Sequence, residues 1–67
     1  MKNMHSILIA DYEKYVRNDI IQSIHWPDYG FYIIGEAENG RQALELVQKL
    51  QPDVLITDIK MHNRASV

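Results

Sequence analysis

Hydrophobic positions in this chain fall into alternating blocks of different period. Ile7-Leu8-Ile9-Ala10 is apolar at every position and stops at Asp11, which predicts a strand covered on both faces. Val16, Ile20 and Ile24 then recur at every fourth position with Ile21 beside them, while Arg17, Asn18, Asp19 and Gln22 fill the intervening places. That spacing predicts an amphipathic helix from Lys14 to His25, followed by a loop through Trp26, Pro27, Asp28, Tyr29 and Gly30. Phe31 to Ala37 contains Tyr32-Ile33-Ile34 and is β-rich; Gly35 and Glu36 give it a wetter end, suited to a sheet edge. Asn39 is placed to cap a helix, with Gln42 reaching back as in a capping box. Ala43, Leu44, Val47 and Leu50 form that helix's apolar stripe, and Pro52 ends it. Val54-Leu55-Ile56-Thr57 reads as a second buried strand and stops at Asp58. From Met61 to Val67 no periodicity remains, and an irregular tail is expected.

The order β-α-β-α-β implies an α/β parallel sheet. Crossovers between parallel strands are right-handed in about 98% of cases. If the second and third strands lie on opposite sides of the first, their connecting helices land on opposite faces of the sheet. The first strand is then covered on both faces, as its unbroken apolar run demands. The expected strand order is 2-1-3, with a topological switch point between strands 1 and 3. Ligands of open α/β sheets bind beyond the carboxyl ends of strands at such a point. The residues there are Asp11 and Asp58.

Composition narrows the function classes. The chain has 67 residues, 46% of them hydrophobic and 24% charged, the profile of one globular unit. A domain of that size buries only about 60% of its unfolded surface, and without cysteine it has no disulfide or thiolate metal site to support it. The absence of cysteine suits the cytoplasm. A net charge of −2 supplies no basic footprint for nucleic acid. No apolar run approaches the ~18 residues of a membrane span, and the apolar stretch after His5 is too short for a signal-peptide core.

Two aspartates at the same sheet edge repel each other unless a cation sits between them. Mg²⁺ takes oxygen ligands and is commonly held by one or two carboxylates with phosphate oxygens and water. An aspartate is also a nucleophile that forms aspartyl-phosphate. The plainer reading is that an aspartate after a strand is a turn residue or helix cap; the pattern alone leaves both open.

Three blocks carry a resemblance. Ile7-Leu8-Ile9-Ala10-Asp11-Tyr12-Glu13, then Glu36-Ala37-Glu38-Asn39-Gly40 with Ala43-Leu44, then Pro52-Asp53-Val54-Leu55-Ile56-Thr57-Asp58-Ile59-Lys60-Met61 resemble, in order and spacing, the response-regulator receiver family. The resemblance covers residues 6–61. The Ile24-His25-Trp26 patch and the Tyr29-Gly30-Phe31 entry look most like receivers joined to AraC-type DNA-binding domains. The resemblance implies a flavodoxin-like fold and a phosphoacceptor role with Mg²⁺. It also implies a sensor histidine kinase as partner, a transcriptional output domain and a cytoplasmic protein that is not itself an enzyme. It assigns Asp58 as phosphoacceptor, Asp11 as the first acidic residue beside the metal and Lys60 as the donor of a backbone carbonyl.

The chain departs from the family pattern in places. The second acidic position is Tyr12, whose phenol is a poor Mg²⁺ ligand at neutral pH; Glu13 next door is the candidate substitute. The proline after Met61 is His62, and Asn63 to Val67 no longer follow the family. The resemblance further implies strands, helices and an output domain beyond this chain, which is therefore read as a truncated N-terminal half. On that reading the third strand leaves an apolar edge open to self-association. The rival readings are a phosphorylation-independent interaction module and an inactive remnant. His5, His25 and His62 lack metal-ligand spacing. Trp26, Tyr29, Phe31 and Tyr32 read as a hydrophobic cluster under one loop. Arg17, Asp19, Glu45 and Lys49 read as solvated helix faces.

Overall fold

A computed structural model of the chain describes residues 3–57. Within them β1 (His5–Ala10), α1 (Lys14–Ser23), a 3-10 turn (Trp26–Tyr29), β2 (Phe31–Ala37), α2 (Gly40–Leu50) and β3 (Val54–Thr57) follow in order. The sheet is parallel with order β2-β1-β3, as the crossover rule requires. The expected tail from Met61 to Val67 lies outside the described residues.

β1 is the centre of the molecule. Ile7, Leu8, Ile9 and Ala10 are buried, because strands flank them on both edges and helices lie over both faces. The faces can be told apart at Gly35 and Glu36. Consecutive strand residues point to opposite faces. A Cβ built on Gly35 would meet Leu8 and Leu50 side chains at 3.2 and 3.3 Å, so α2 approaches closely on that side. Glu36 meets Arg17 of α1 on the other. Ala10, Ala37 and Ala43 pack with Leu46 on the α2 side. Between Ile7 and Leu8 the β2 register shifts, from Ile33 to Gly35. The bulge leaves Ile34 as the extra residue, so the strand turns Gly35 rather than a larger side chain toward α2.

Both helical stripes differ from the expected ones by a small rotation. In α2 the covered face is Ala43, Leu46 and Val47, while Leu44 is 60% exposed. The i, i+3, i+4, i+7 series 43/46/47/50 is the face turned toward the sheet, and Leu44 lies beside it. In α1 the same series is Arg17, Ile20 and Ile21. Arg17 is therefore not on a solvated face: it is 9% exposed and belongs to the packed one. α1 also ends earlier than expected, at Ser23, with Ile24 already extended. The Asn39 cap forms, its Oδ1 accepting from the Gln42 amide at 2.8 Å. Gln42 Oε1 reaches one residue further back than a capping box would, accepting from the Glu38 amide at 2.7 Å. α2 ends where Gln51 turns left-handed, its amide donating to the Val47 carbonyl.

The aromatic cluster is smaller than the sequence suggested. Trp26 meets Phe31 edge-on at 6.3 Å, and Phe31 lies 6.1 Å from the His5 ring; Tyr29 and Tyr32 stay exposed. β3 is also less buried than its apolar run implied. Val54 and Leu55 are exposed and Ile56 is half-buried, because among the described residues β3 pairs on one edge alone.

β3 is tied to β1 before its ladder begins. The Asp53 amide donates to the Ser6 carbonyl and hydroxyl, both at 3.0 Å. In return the Ser6 amide and hydroxyl donate to Asp53 Oδ2 at 2.8 and 3.3 Å. His5 Nδ1 stands 3.7 Å from the same oxygen. The Ser6 amide is the main reason that the Asp53 carboxyl lies below its ordinary pKa; desolvation opposes it, and the Ser6 hydroxyl and His5 add to it. A depressed pKa in the folded state stabilises the fold above the unfolded-state value, and that contribution disappears as pH falls through the folded-state value. Asp53→Asn should therefore show a flatter decline in melting temperature on acidification than the native chain, measured by circular dichroism from neutral pH downward. Parallel curves for the two proteins would clear Asp53 of this role.

Candidate functional site at the carboxyl edge of the sheet

The carboxyl ends of the strands are brought level by register. Ala10 is paired with Ala37 on one side and with Thr57 on the other. The next residue on β1 is Asp11, and the next after Thr57 in sequence is Asp58. Asp58 and Lys60 lie outside the described residues. The described part of the site is therefore the β1 end and the turn into α1, together with the Thr57 anchor.

Asp11 is 5% exposed. Its amide donates to the Ala37 carbonyl at 3.0 Å, which carries the β1–β2 ladder one residue past the strand. Its Oδ1 accepts from the Glu13 amide at 2.9 Å, the side-chain-to-backbone closure of an Asx turn. Glu13 is the N-cap of α1 and makes no cap bond with its own side chain. Asp11 instead satisfies the amide of the N-cap residue itself, and its negative charge sits favourably against the positive end of the helix. The plainer reading of a strand-end aspartate is thus correct for Asp11, and it leaves a buried carboxylate at the switch point as well.

Two further groups complete the turn. Arg17 Nη1 donates to the Asp11 carbonyl at 2.7 Å, and Arg17 Nε donates to Glu36 Oε1 at 2.9 Å. The Arg17 amide donates in turn to the Glu13 carbonyl at 3.1 Å. Neither Arg17 nor Glu36 was singled out as a site residue from the sequence. The signal was present in Arg17, three and four residues before Ile20 and Ile21 on one helical face. Tyr12 is 59% exposed, and Glu13 is exposed beside it. No group of three or more histidine, aspartate or glutamate side chains is gathered closely enough to hold a metal among the described residues. Within that range Asp11 is the sole carboxylate that is both buried and at the switch point.

Comparison with known proteins gives a consistent family. The model of the response regulator receiver domain matches residues 7–65. The transcriptional regulatory protein HptR of Staphylococcus aureus strain NCTC 8325 is 41% identical over 64 residues, 96% of this chain and 25% of that protein. A response regulatory protein of Staphylococcus epidermidis, SERP2406, is 36% identical over 64 residues, 96% of this chain and 26% of that protein. The chain thus spans about a quarter of the length of these curated relatives. No solved structure matches it.

The turn and charge roles of Asp11 can be separated. Asp11→Asn keeps an Oδ1 acceptor for the Glu13 amide and should lose less thermal stability than Asp11→Ala, giving up only the charge at the helix N-terminus. Asp11→Ala leaves that amide without its acceptor and should cost about 1 kcal/mol. Thermal denaturation of the pair decides; an equal loss in both would mean that charge, rather than the acceptor, holds the turn.

Proposed function

The chain belongs to the response regulator receiver family, and from that premise we propose that it receives a phosphoryl group on Asp58 from a sensor histidine kinase. The observation that supports this most is the register: Asp11 follows Ala10 on the central strand, and Ala10 is paired with Thr57, the residue before Asp58. In the transfer, an Asp58 carboxylate oxygen attacks phosphorus as the phosphorus–nitrogen bond of the kinase's phosphohistidine breaks. The histidine leaves as a neutral imidazole once it holds a proton. The new dianionic charge then biases a distant surface that reads it out.

Mg²⁺, when bound, neutralises charge on the phosphoryl oxygens during transfer. The chemistry of the described donor set fits such an ion in part. Asp11 offers a buried hard carboxylate oxygen ligand, and the nearest guanidinium, Arg17, bonds its backbone carbonyl rather than its side chain. Asp58 and the Lys60 carbonyl complete the donors that we assign, with Glu13 as the nearby carboxylate that can enter directly or through water. Tyr12 supplies no carboxylate, so affinity should be weak. The output that we assign is transcriptional, because the relative HptR is a transcriptional regulatory protein. The Ile24-His25-Trp26 and Tyr29-Gly30-Phe31 patches favour an AraC-type output domain, and a cytoplasmic setting goes with this reading. No described helix is long and apolar enough to cross a membrane.

Incubation with Mg²⁺ and a small phosphoryl donor, followed by mass spectrometry, should place a base-labile adduct on Asp58. Modification of Asp11 or Asp53 instead would overturn the assignment. Tyr12→Asp should raise Mg²⁺ affinity, read by isothermal titration calorimetry; unchanged affinity would mean that Glu13 or water already serves.

A second reading, a phosphorylation-independent interaction module, is favoured by Tyr12 and by the exposed Val54 and Leu55 of β3, which pairs on one edge alone among the described residues. Under it, β3 pairs with a second copy edge to edge. Sedimentation at rising concentration should then show a dimer or larger species, with β3 amides protected from exchange. A monomer at high concentration would remove this reading.

A further inference from the structure

The geometry points to Arg17 as a positioning residue for the acidic turn, acting through the Asp11 carbonyl and steadied by Glu36. The inference rests on the receiver reading above for its consequence, but the positioning itself can be tested without it.

Arg17 is buried on the sheet-facing side of α1, where a hydrophobic residue would fill the position at lower desolvation cost. Its guanidinium spans separate parts of the fold: Nη1 meets the carbonyl at the end of β1, and Nε meets a carboxylate on β2. Its own amide closes the first turn of α1 on the Glu13 carbonyl. One side chain therefore joins the exits of β1 and β2 to the start of α1. The carbonyl that it holds belongs to the Asp11–Tyr12 peptide. Fixing that peptide plane fixes the direction in which Asp11 presents its carboxylate and the direction in which position 12 leaves the turn. Asp11 Oδ1 bonds the Glu13 amide two residues on, so this short turn is held from both ends.

Glu36 has a matching part. It holds Nε, so the planar fork is set before it reaches Asp11. Lysine, a point charge on a flexible stem, cannot bond both acceptors in this fixed way. Arg17 bonds the Asp11 carbonyl and the Glu36 carboxylate, so it acts through the turn rather than as a ligand itself. Its effect on a bound ion is that of an outer partner that orients a ligand, and loss of such partners typically lowers metal affinity about 10- to 100-fold.

The test uses the full chain and its Arg17→Met, Arg17→Lys and Glu36→Ala variants. The first readout is the amide NMR spectrum without metal. Arg17→Met should shift the Tyr12 and Glu13 amides and speed their exchange, while the β1–β3 amides from Ile7 to Ala10 keep their shifts. Arg17→Lys and Glu36→Ala should give smaller changes at the same amides; they carry the test if the methionine variant fails to fold. The second readout is Mg²⁺ titration, where Arg17→Met should weaken binding by about tenfold or more. The third asks whether Tyr12→Asp gains affinity only when Arg17 is present. Unchanged Tyr12 and Glu13 amides in every folded Arg17 variant would overturn the positioning role. So would a Tyr12→Asp gain of equal size with and without Arg17. If no protein in the set binds Mg²⁺ but the turn amides still move, the receiver reading of the site fails and the positioning role stands.

Discussion

A strand that is apolar on both faces cannot be stable at the surface, and β1 imposes that condition on everything around it. Ile7, Leu8, Ile9 and Ala10 present large or small hydrocarbon to each side in turn, and fully burying each large one is worth roughly 1.5–3 kcal/mol. Covering both faces requires a helix on each. With right-handed crossovers, that in turn requires the flanking strands to lie on opposite edges. The order β2-β1-β3 is the resulting arrangement. A switch point then falls at the carboxyl end of β1, so the strand that most needs burial is also the one that delivers Asp11 to the edge where α/β sheets bind ligands.

Hydrocarbon burial sets the layers but does not set the longitudinal register. Polar groups at the two ends of β1 do that. At its entry Ser6 and Asp53 exchange hydrogen bonds that align β3. At its exit Arg17 and Glu36 tie β1 to α1 and β2. A shift of one residue along the sheet would exchange the faces of every side chain and would also break both sets. The polar pairs thus add specificity where apolar contact alone would tolerate sliding.

Element order and sheet topology were legible in the sequence because they follow from short unbroken apolar runs, helical stripes of period 3.6 and one chirality rule. What escaped was finer. Leu44 and Leu46 are equally apolar, and choosing between them needs the rotation of α2 against the sheet, which neighbouring elements decide. The strands β1 and β3 have similar apolar runs, yet one is buried and the other half-open, because burial depends on how many edges are paired. Arg17 was hidden by its charge. Residue type suggested solvent, while its helical spacing with Ile20 and Ile21 placed it inside, and the conflict resolves only when Glu36 and the Asp11 carbonyl are found opposite it. Asp11 itself was legible as a strand-end carboxylate, but its bond to the Glu13 amide belongs to a turn whose dihedral angles no spacing rule specifies.

The tyrosine beside Asp11 changes the electrostatics of this edge in a definite direction. Adjacent carboxylates in a confined site repel one another and raise the cost of holding the edge without a cation. With Tyr12 at the second position, Asp11 faces less of that repulsion, and its charge is already met by the Glu13 amide and the positive end of α1. The metal-free turn is thereby made more comfortable. On the proposed reading the same change also weakens the pull on a cation, since affinity for hard cations rises with the number of charged oxygen ligands. On the proposed phosphoacceptor reading, stability of the metal-free turn and affinity for Mg²⁺ are therefore opposed at position 12, where a tyrosine in place of a carboxylate favours the former.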